Sequence, residues 1–260
     1  MIKAIFFDID GTLVSFDTHT VPQSTIETLE VLKKKGIKVF IATGRHLKSI
    51  NNLGELTFDG YITINGGYCM AGAHEVIYKN PIASQDIEAL KTWQEKNVHD
   101  RFPCMLVQEN ELYLSDKNER VEEVLTLLNF PEPPILPLRN MPEGDVFQIV
   151  AFFDESREKK IMPDLKNCES TRWSPLFTDI VPKGGSKRIG IDKMIAHFGF
   201  ALDETMAFGD GGNDIQMLRH VGLGVAMGNA EEEVKRAAHY ITASVDDDGI
   251  YKALKNLNIL

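Results

Sequence analysis

The chain has 260 residues, 43% of them hydrophobic and 25% charged, with a formal net charge of -10. This ordinary globular usage leaves room for one or two domains with sizeable cores, and the negative balance speaks against a nucleic-acid protein, which needs a broad basic field. Cys69, Cys104 and Cys168 stand far apart with no CxxC pair, which argues against a disulfide framework or a zinc site. No apolar run approaches the ~18–20 residues that span a bilayer. Met1-Ile2-Lys3-Ala4 runs into the first strand with no signal-peptide pattern, so a soluble cytoplasmic protein is expected.

The apolar run Ile5-Phe6-Phe7 predicts a buried strand, and it ends in Asp8-Ile9-Asp10-Gly11-Thr12. Residues i and i+2 of a strand share a side, and Gly11 lets the backbone break away at once. A helix follows with Ile26, Leu29 and Leu32 on one stripe and Gly36 as its stop. The next strand, 37–42, runs into Thr43-Gly44-Arg45; a second helix is expected to begin near His46. A third strand, 61–64, leads to Asn65-Gly66-Gly67. Residues 68–79 read as a hairpin with Ala71-Gly72-Ala73 near its turn.

From about Pro81 the texture changes. A helix carrying Ile87, Leu90 and Trp93 precedes short strands at 105–107 and 112–114, and Val121, Val124, Leu125 and Leu128 mark another helix. The proline-rich segment 131–137 separates it from a strand at 146–153; a short helix and strands near Arg172-Trp173 and 177–181 complete the stretch. Strand–helix alternation resumes at Lys183. Ile191, Met194, Ile195 and Phe198 share a helix face, and the strand 205–208 ends in Gly209-Asp210-Gly211-Gly212-Asn213-Asp214. A helix, a strand at 223–226, a helix at 231–238, a short strand at 240–241 and a closing helix follow. The predicted fold is α/β: a doubly wound parallel, Rossmann-like core sheet over 1–81 and 184–260, with an α+β cap domain inserted at 82–183.

Three strand ends thus carry polar clusters, and in a parallel sheet they fall on one edge. Converging carboxylates from Asp8, Asp10, Asp210 and Asp214, with no His or Cys nearby, suit a hard cation such as Mg²⁺. A phosphate dianion near a carboxylate at 4 Å costs ~4 kcal/mol per charge pair at an effective dielectric near 20. Mg²⁺, Lys187 and backbone N–H donors could compensate it. Asp8 could then act as a nucleophile on phosphorus, with Thr43 and the Gly44 N–H holding the other oxygens.

Asp8-Ile9-Asp10-Gly11-Thr12, Thr43, Lys187 and Gly209 to Asp214 stand in order like the four motifs of the haloacid dehalogenase superfamily. The insertion resembles that of its Cof-type subclass, type IIB, and the resemblance covers the whole chain. It implies Asp8 as the nucleophile that forms an aspartyl-phosphate and Asp10 as general acid, then base. It implies Thr43 and Lys187 as phosphoryl-binding residues, with Lys187 also steadying Asp8, and Asn213 as a contact to phosphate or the metal shell. The metal ligands would be Asp8, the Asp10 carbonyl and Asp210, with Asp214 direct or behind them. The function implied is Mg²⁺-dependent hydrolysis of a small phosphorylated metabolite, sugar phosphates first, by a monomer without nucleic-acid or membrane partners.

The residues alone leave alternatives. Asp10 could be a turn residue, Lys187 a solvated helix residue, and Thr43 or Asn213 a helix cap. Asp214 could serve a helix dipole. Arg45 could contact substrate or cap, or form a surface salt bridge. Asn65-Gly66-Gly67 could likewise contact substrate or cap, or be only a turn, and Trp173 and Phe177 either core or sugar-stacking. The segment Gly222 to Gly228 imitates a dinucleotide fingerprint but its first glycines lie within the strand, not after it, and Gly184 to Lys187 lacks P-loop spacing. A sugar-phosphate mutase would yield an isomerised product. A receiver-like phosphoacceptor would keep its phosphate, and needs only ~120 residues.

Overall fold

The first strand, β1 (Ala4–Phe7), carries no polar residue, and a computed structural model of the chain shows why. Both of its faces are covered: Ile5 and Phe7 enter one core, Ala4 and Phe6 another. The structure describes residues 1–72, 74–128 and 130–260, with Trp173 described by its backbone alone. Ala73 of the expected hairpin turn and the Trp173 side chain lie outside the described residues.

After β1 come α1 (Gln23–Lys34), β2 (Lys38–Ala42), β3 (Gly60–Thr63) and the hairpin β4 (Tyr68–Ala71) and β5 (Glu75–Lys79). The inserted stretch contains α2 (Ser84–Lys96), β6 (Cys104–Gln108), β7 (Leu112–Leu114), α3 (Glu119–Leu127), β8 (Val146–Ala151), α4 (Glu155–Ile161), β9 (Cys168–Ser174) and β10 (Phe177–Pro182). The chain closes with α5 (Lys187–Phe198), β11 (Thr205–Gly209), α6 (Ile215–His220), β12 (Leu223–Ala226), α7 (Glu232–Ala237), β13 (Tyr240–Ile241) and α8 (Gly249–Asn256). It divides into two compact units, residues 1–79 with 186–260, and residues 80–185.

In the first unit eight strands lie in the order β13-β12-β11-β1-β2-β3-β4-β5. Pairing is parallel from β13 to β3, and the β4–β5 hairpin extends the sheet antiparallel. Leu29 and Leu32 of α1 with Ile250, Ala253 and Leu254 of α8 cover one face. Ile191, Met194 and Ile195 of α5, Met217 and Leu218 of α6 and Val234 of α7 cover the other. Rings stack across neighbouring strands, Phe6 on Phe40 at 4.9 Å and Phe7 on Phe208 at 5.2 Å. Register matters for the site: Phe7 pairs with Phe208 on one side and Ile41 on the other, so the three strands end within one residue of one another.

One expected element is missing. No α-helix begins at His46; residues 47–49 form a single 3-10 turn, with the His46 side chain accepting the Lys48 N–H at 3.3 Å. The segment that follows, Ser49-Ile50-Asn51-Asn52 and then Gly54, is poor in helix formers.

The second unit is an antiparallel sheet, β7-β6-β8-β10-β9. Leu90 and Trp93 of α2 and Ile161 of α4 pack on Leu106, Ile149, Ala151 and Ile180. Phe177 is buried with its ring 6.3 Å from Phe152, which makes it a core residue of this unit. No described helix is long and apolar enough to cross a membrane.

Candidate active site

Because β1, β2 and β11 end within one residue of one another, the residues just past them meet. Asp8 lies one residue beyond β1, Thr43 one beyond β2 and Asp210 one beyond β11. Lys187 arrives as the first residue of α5. Its side chain is fully buried, and Nζ donates at 2.6 Å both to Asp8 Oδ1 and to Asp214 Oδ1. A lysine this deep persists only when paired. Burial presses its pKa down, yet the Asp214 and Asp8 carboxylates outweigh that and hold it above the ordinary value.

Asp214, itself fully buried, has both oxygens engaged. Oδ1 takes the Lys187 ammonium, and Oδ2 accepts the backbone N–H groups of Asp210 at 3.0 Å and Gly211 at 2.9 Å. It therefore braces the loop after β11 as well as the lysine. Asp210 accepts from Thr12 Oγ1 at 3.1 Å and from Asn229 Nδ2 at 3.2 Å. Gly11 makes room for it: φ is +79°, and a Cβ there would lie 2.1 Å from Asp210 Oδ2.

The carboxylates outnumber the cation among them. Burial pushes Asp8 well above the usual carboxylate range; Lys187 pulls it down, but Asp214, Asp210 and Asp10 push it up again. Burial and the Asp214 charge raise Asp210 to about 7. Oxygen atoms from Asp8, Asp210 and Asp214 lie within 4.8 Å of one another. An all-oxygen, anionic and under-compensated donor set fits a hard divalent cation.

Asp10 and Asp8 part company despite their i, i+2 spacing. Asp8 turns to Lys187, whereas Asp10 is gripped by Arg45 as a fork, Nε to Oδ2 at 2.6 Å and Nη2 to Oδ1 at 2.7 Å. Arg45 Nη1 also donates to Ser49 O at 3.0 Å. Of the alternatives for Arg45, the structure realises a salt bridge, and its partner belongs to the site. Thr43 is buried, and its hydroxyl accepts the Arg45 N–H at 3.1 Å, which leaves its own O–H to donate. No α-helix follows for it to cap. Asn213 lies inside the 3-10 turn 212–214 and donates to Asn65 Oδ1 at 3.0 Å, so it is not an N-cap. Gly44 lies against the same Asn65 carboxamide.

Asn65, left between a contact and a turn residue by the sequence, holds Asn213. One supporting residue escapes a reading of the sequence by motifs: Asn229 joins Gly11 O, Asp210 and, through its own carbonyl, the Val245 N–H. The available signal was position, since Asn229 follows β12 on the same sheet edge.

A doubly wound sheet with this acidic, lysine-braced edge defines a phosphoryl-transfer hydrolase class, and the comparisons agree. The chain belongs to the haloacid dehalogenase-like hydrolase family, whose model matches residues 5–254, and it is a phosphatase. YkrA of Bacillus subtilis (strain 168) is 38% identical over 265 residues, covering 99% of this chain and 98% of its own. The solved structure of the subclass IIB sugar phosphatase BT4131 is 48% identical, with a TM-score of 0.92 over 99% of this chain and 100% of that one. BT1666 of Bacteroides thetaiotaomicron, a phosphatase of the same superfamily, is 38% identical with a TM-score of 0.92, covering 100% and 96%.

Proposed function

We propose that the chain is a Mg²⁺-dependent phosphomonoesterase for small phosphorylated metabolites, sugar phosphates first, working through an aspartyl-phosphate on Asp8. The observation that carries this reading is the Lys187 ammonium shared at 2.6 Å between Asp8 and Asp214, beside the Asp210 carboxylate. Similarity to a subclass IIB sugar phosphatase supports the substrate class.

An oxygen of Asp8 attacks phosphorus, and the bond to the leaving alkoxide breaks. Asp10 gives that alkoxide its proton. A water then attacks the phosphorus of the aspartyl-phosphate and passes a proton to Asp10, which releases phosphate and restores Asp8. Lys187, the Thr43 hydroxyl, the Gly44 N–H and Asn213 hold the phosphoryl oxygens. Lys187 also pulls Asp8 toward its ionised form, against burial and the neighbouring acids, and Asp214 holds Lys187. Asp8, the Asp10 carbonyl and Asp210, with Asp214 beside them, are the residues to hold Mg²⁺, which when bound neutralises carboxylate and phosphate charge. Residues 82–183 act as a substrate-selecting cap, supported by their folding as a compact unit with its own core. A cytoplasmic location belongs to the proposal, supported by three buried cysteines that form no disulfide.

The test is a panel of sugar phosphates, nucleotides and aryl phosphates assayed with Mg²⁺ and with EDTA, for wild type and Asp8→Asn. Wild type should release inorganic phosphate only with Mg²⁺, fastest from a sugar phosphate, and Asp8→Asn should release none. Wild-type rates for Asp8→Asn on an aryl phosphate would sink the mechanism.

A further inference from the structure

Three consecutive residues between β3 and β4 lie in the left-handed region: Ile64 (φ 53°), Asn65 (φ 50°) and Gly66 (φ 90°). No other such run occurs among the described residues. A β-branched residue adopts this conformation only where its surroundings impose it. Here they do so from two sides. The Ile64 N–H donates to Arg45 O at 3.1 Å and the Asn65 N–H to Thr43 O at 3.0 Å, while the Ile64 side chain is buried. On the other side Gly66 presses on the start of α5, where a Cβ would lie 2.1 Å from Ser186 O. The turn is thus wedged between the loop that carries Thr43 and Gly44 and the helix end that carries Lys187.

The side chain at its centre completes the connection. Asn65 is 5% exposed, and its Oδ1 accepts the Asn213 amide at 3.0 Å. Its Oδ1 and Nδ2 lie 3.2 Å from the position a Cβ on Gly44 would take, so the carboxamide lies directly on that glycine. One buried amide therefore touches the loop after β2 and the loop after β11, and the next residue, Gly66, abuts the start of α5. Those three elements carry the groups assigned above to the phosphoryl oxygens.

We propose that Asn65 is a positioning residue for the phosphate site: its carboxamide sets the rotamer of Asn213 and packs against the Gly44 peptide, and the left-handed turn exists to deliver it there. This rests on the proposed role of Asn213 and Gly44 in holding phosphate. The rival explanation is that Asn-Gly merely makes a turn, because Asn tolerates a positive φ.

Asn65→Gly separates the two, since glycine adopts the turn at least as well and has no carboxamide; Asn65→Ala strains the turn and also lacks it. The readouts are the Ki of orthovanadate, KM and kcat on p-nitrophenyl phosphate with Mg²⁺, and the melting temperature. Asn65→Gly should raise the vanadate Ki and KM about tenfold, the loss of one buried hydrogen-bond partner, with its melting temperature held. Asn213→Ala should raise the Ki similarly, and adding Asn65→Gly to it should change the Ki less than about twofold, because coupled residues are not additive. An Asn65→Gly enzyme with wild-type Ki, beside a raised Ki in Asn213→Ala, would overturn the positioning role alone and leave the turn reading. Full additivity of the two changes would overturn it as well. An unchanged Ki in Asn213→Ala would overturn both this inference and the assignment of Asn213 to phosphate.

Discussion

The cluster of carboxylates around one lysine should make the metal-free protein less stable as pH rises. Asp210 is raised from 3.8 to about 7, chiefly by burial and by Asp214. Between those values the folded protein holds a proton that the unfolded chain has already lost, so stability falls with rising pH and the whole loss is present by pH 8. A shift of about three units at ~1.36 kcal/mol each gives about 4 kcal/mol. Roughly 2.5 of it falls between pH 5 and 8, and about 2 kcal/mol remains once the partial exposure of Asp210 is allowed for. For a protein of this size that is on the order of 4–8 °C in melting temperature. Asp8 is raised by the same causes and acts with the same sign. The assay is thermal melting in EDTA at pH 5, 6.5 and 8 for wild type and Asp210→Asn. The variant, which has nothing to titrate there, should exceed wild type at pH 8, and the gap should close toward pH 5. Mg²⁺ should raise the wild-type melting temperature at pH 8, and much less at pH 5, where protons hold the same oxygens. Melting curves of the two proteins that run parallel from pH 5 to 8 would refute the reasoning.

Arg45 should act through Asp10. Its fork is charge-assisted but one-tenth to one-quarter exposed, with side chains 11% and 24% accessible. Arg45→Ala should therefore lower kcat/KM by about 5–30-fold, or ~1–2 kcal/mol. In an Asp10→Asn background the same change should cost less than about threefold; equal losses in both backgrounds would assign Arg45 to the substrate instead. Removing the ammonium with Lys187→Met leaves Asp8 and Asp214 buried without their cation. Urea unfolding should register a loss of about 3–5 kcal/mol at pH 8, smaller at pH 5, where Asp8, raised by burial, takes up a proton more readily. A variant as stable as wild type at both pH values would contradict the pairing.

The doubly wound architecture was legible because its signal is local. Runs such as Ile5-Phe6-Phe7 and 205–208 lack polar alternation because helices cover both sheet faces, and amphipathic stripes in α1 and α5 name the residues that cover them. The missing helix after His46 shows the limit of the same logic: a strand–helix rhythm predicted one where the residues between 49 and 54 do not support it.

By itself the sequence determined which strands end in acids, hydroxyls and glycines, and hence that a phosphoryl-transfer chemistry was within reach. Motif spacing is a property of neighbouring residues, and a parallel sheet converts it into a shared edge. Only the tertiary structure decided most of the partners. Lys187 beside Asp8 was implied by the family resemblance, but the structure alone gave Asp10 to Arg45, although Asp8 and Asp10 sit two residues apart. Asp214 became a brace with both oxygens engaged, and Asn65 met Asn213 across 148 residues of chain. Such pairings depend on rotamers and loop paths where several strand ends converge, and no local periodicity encodes them.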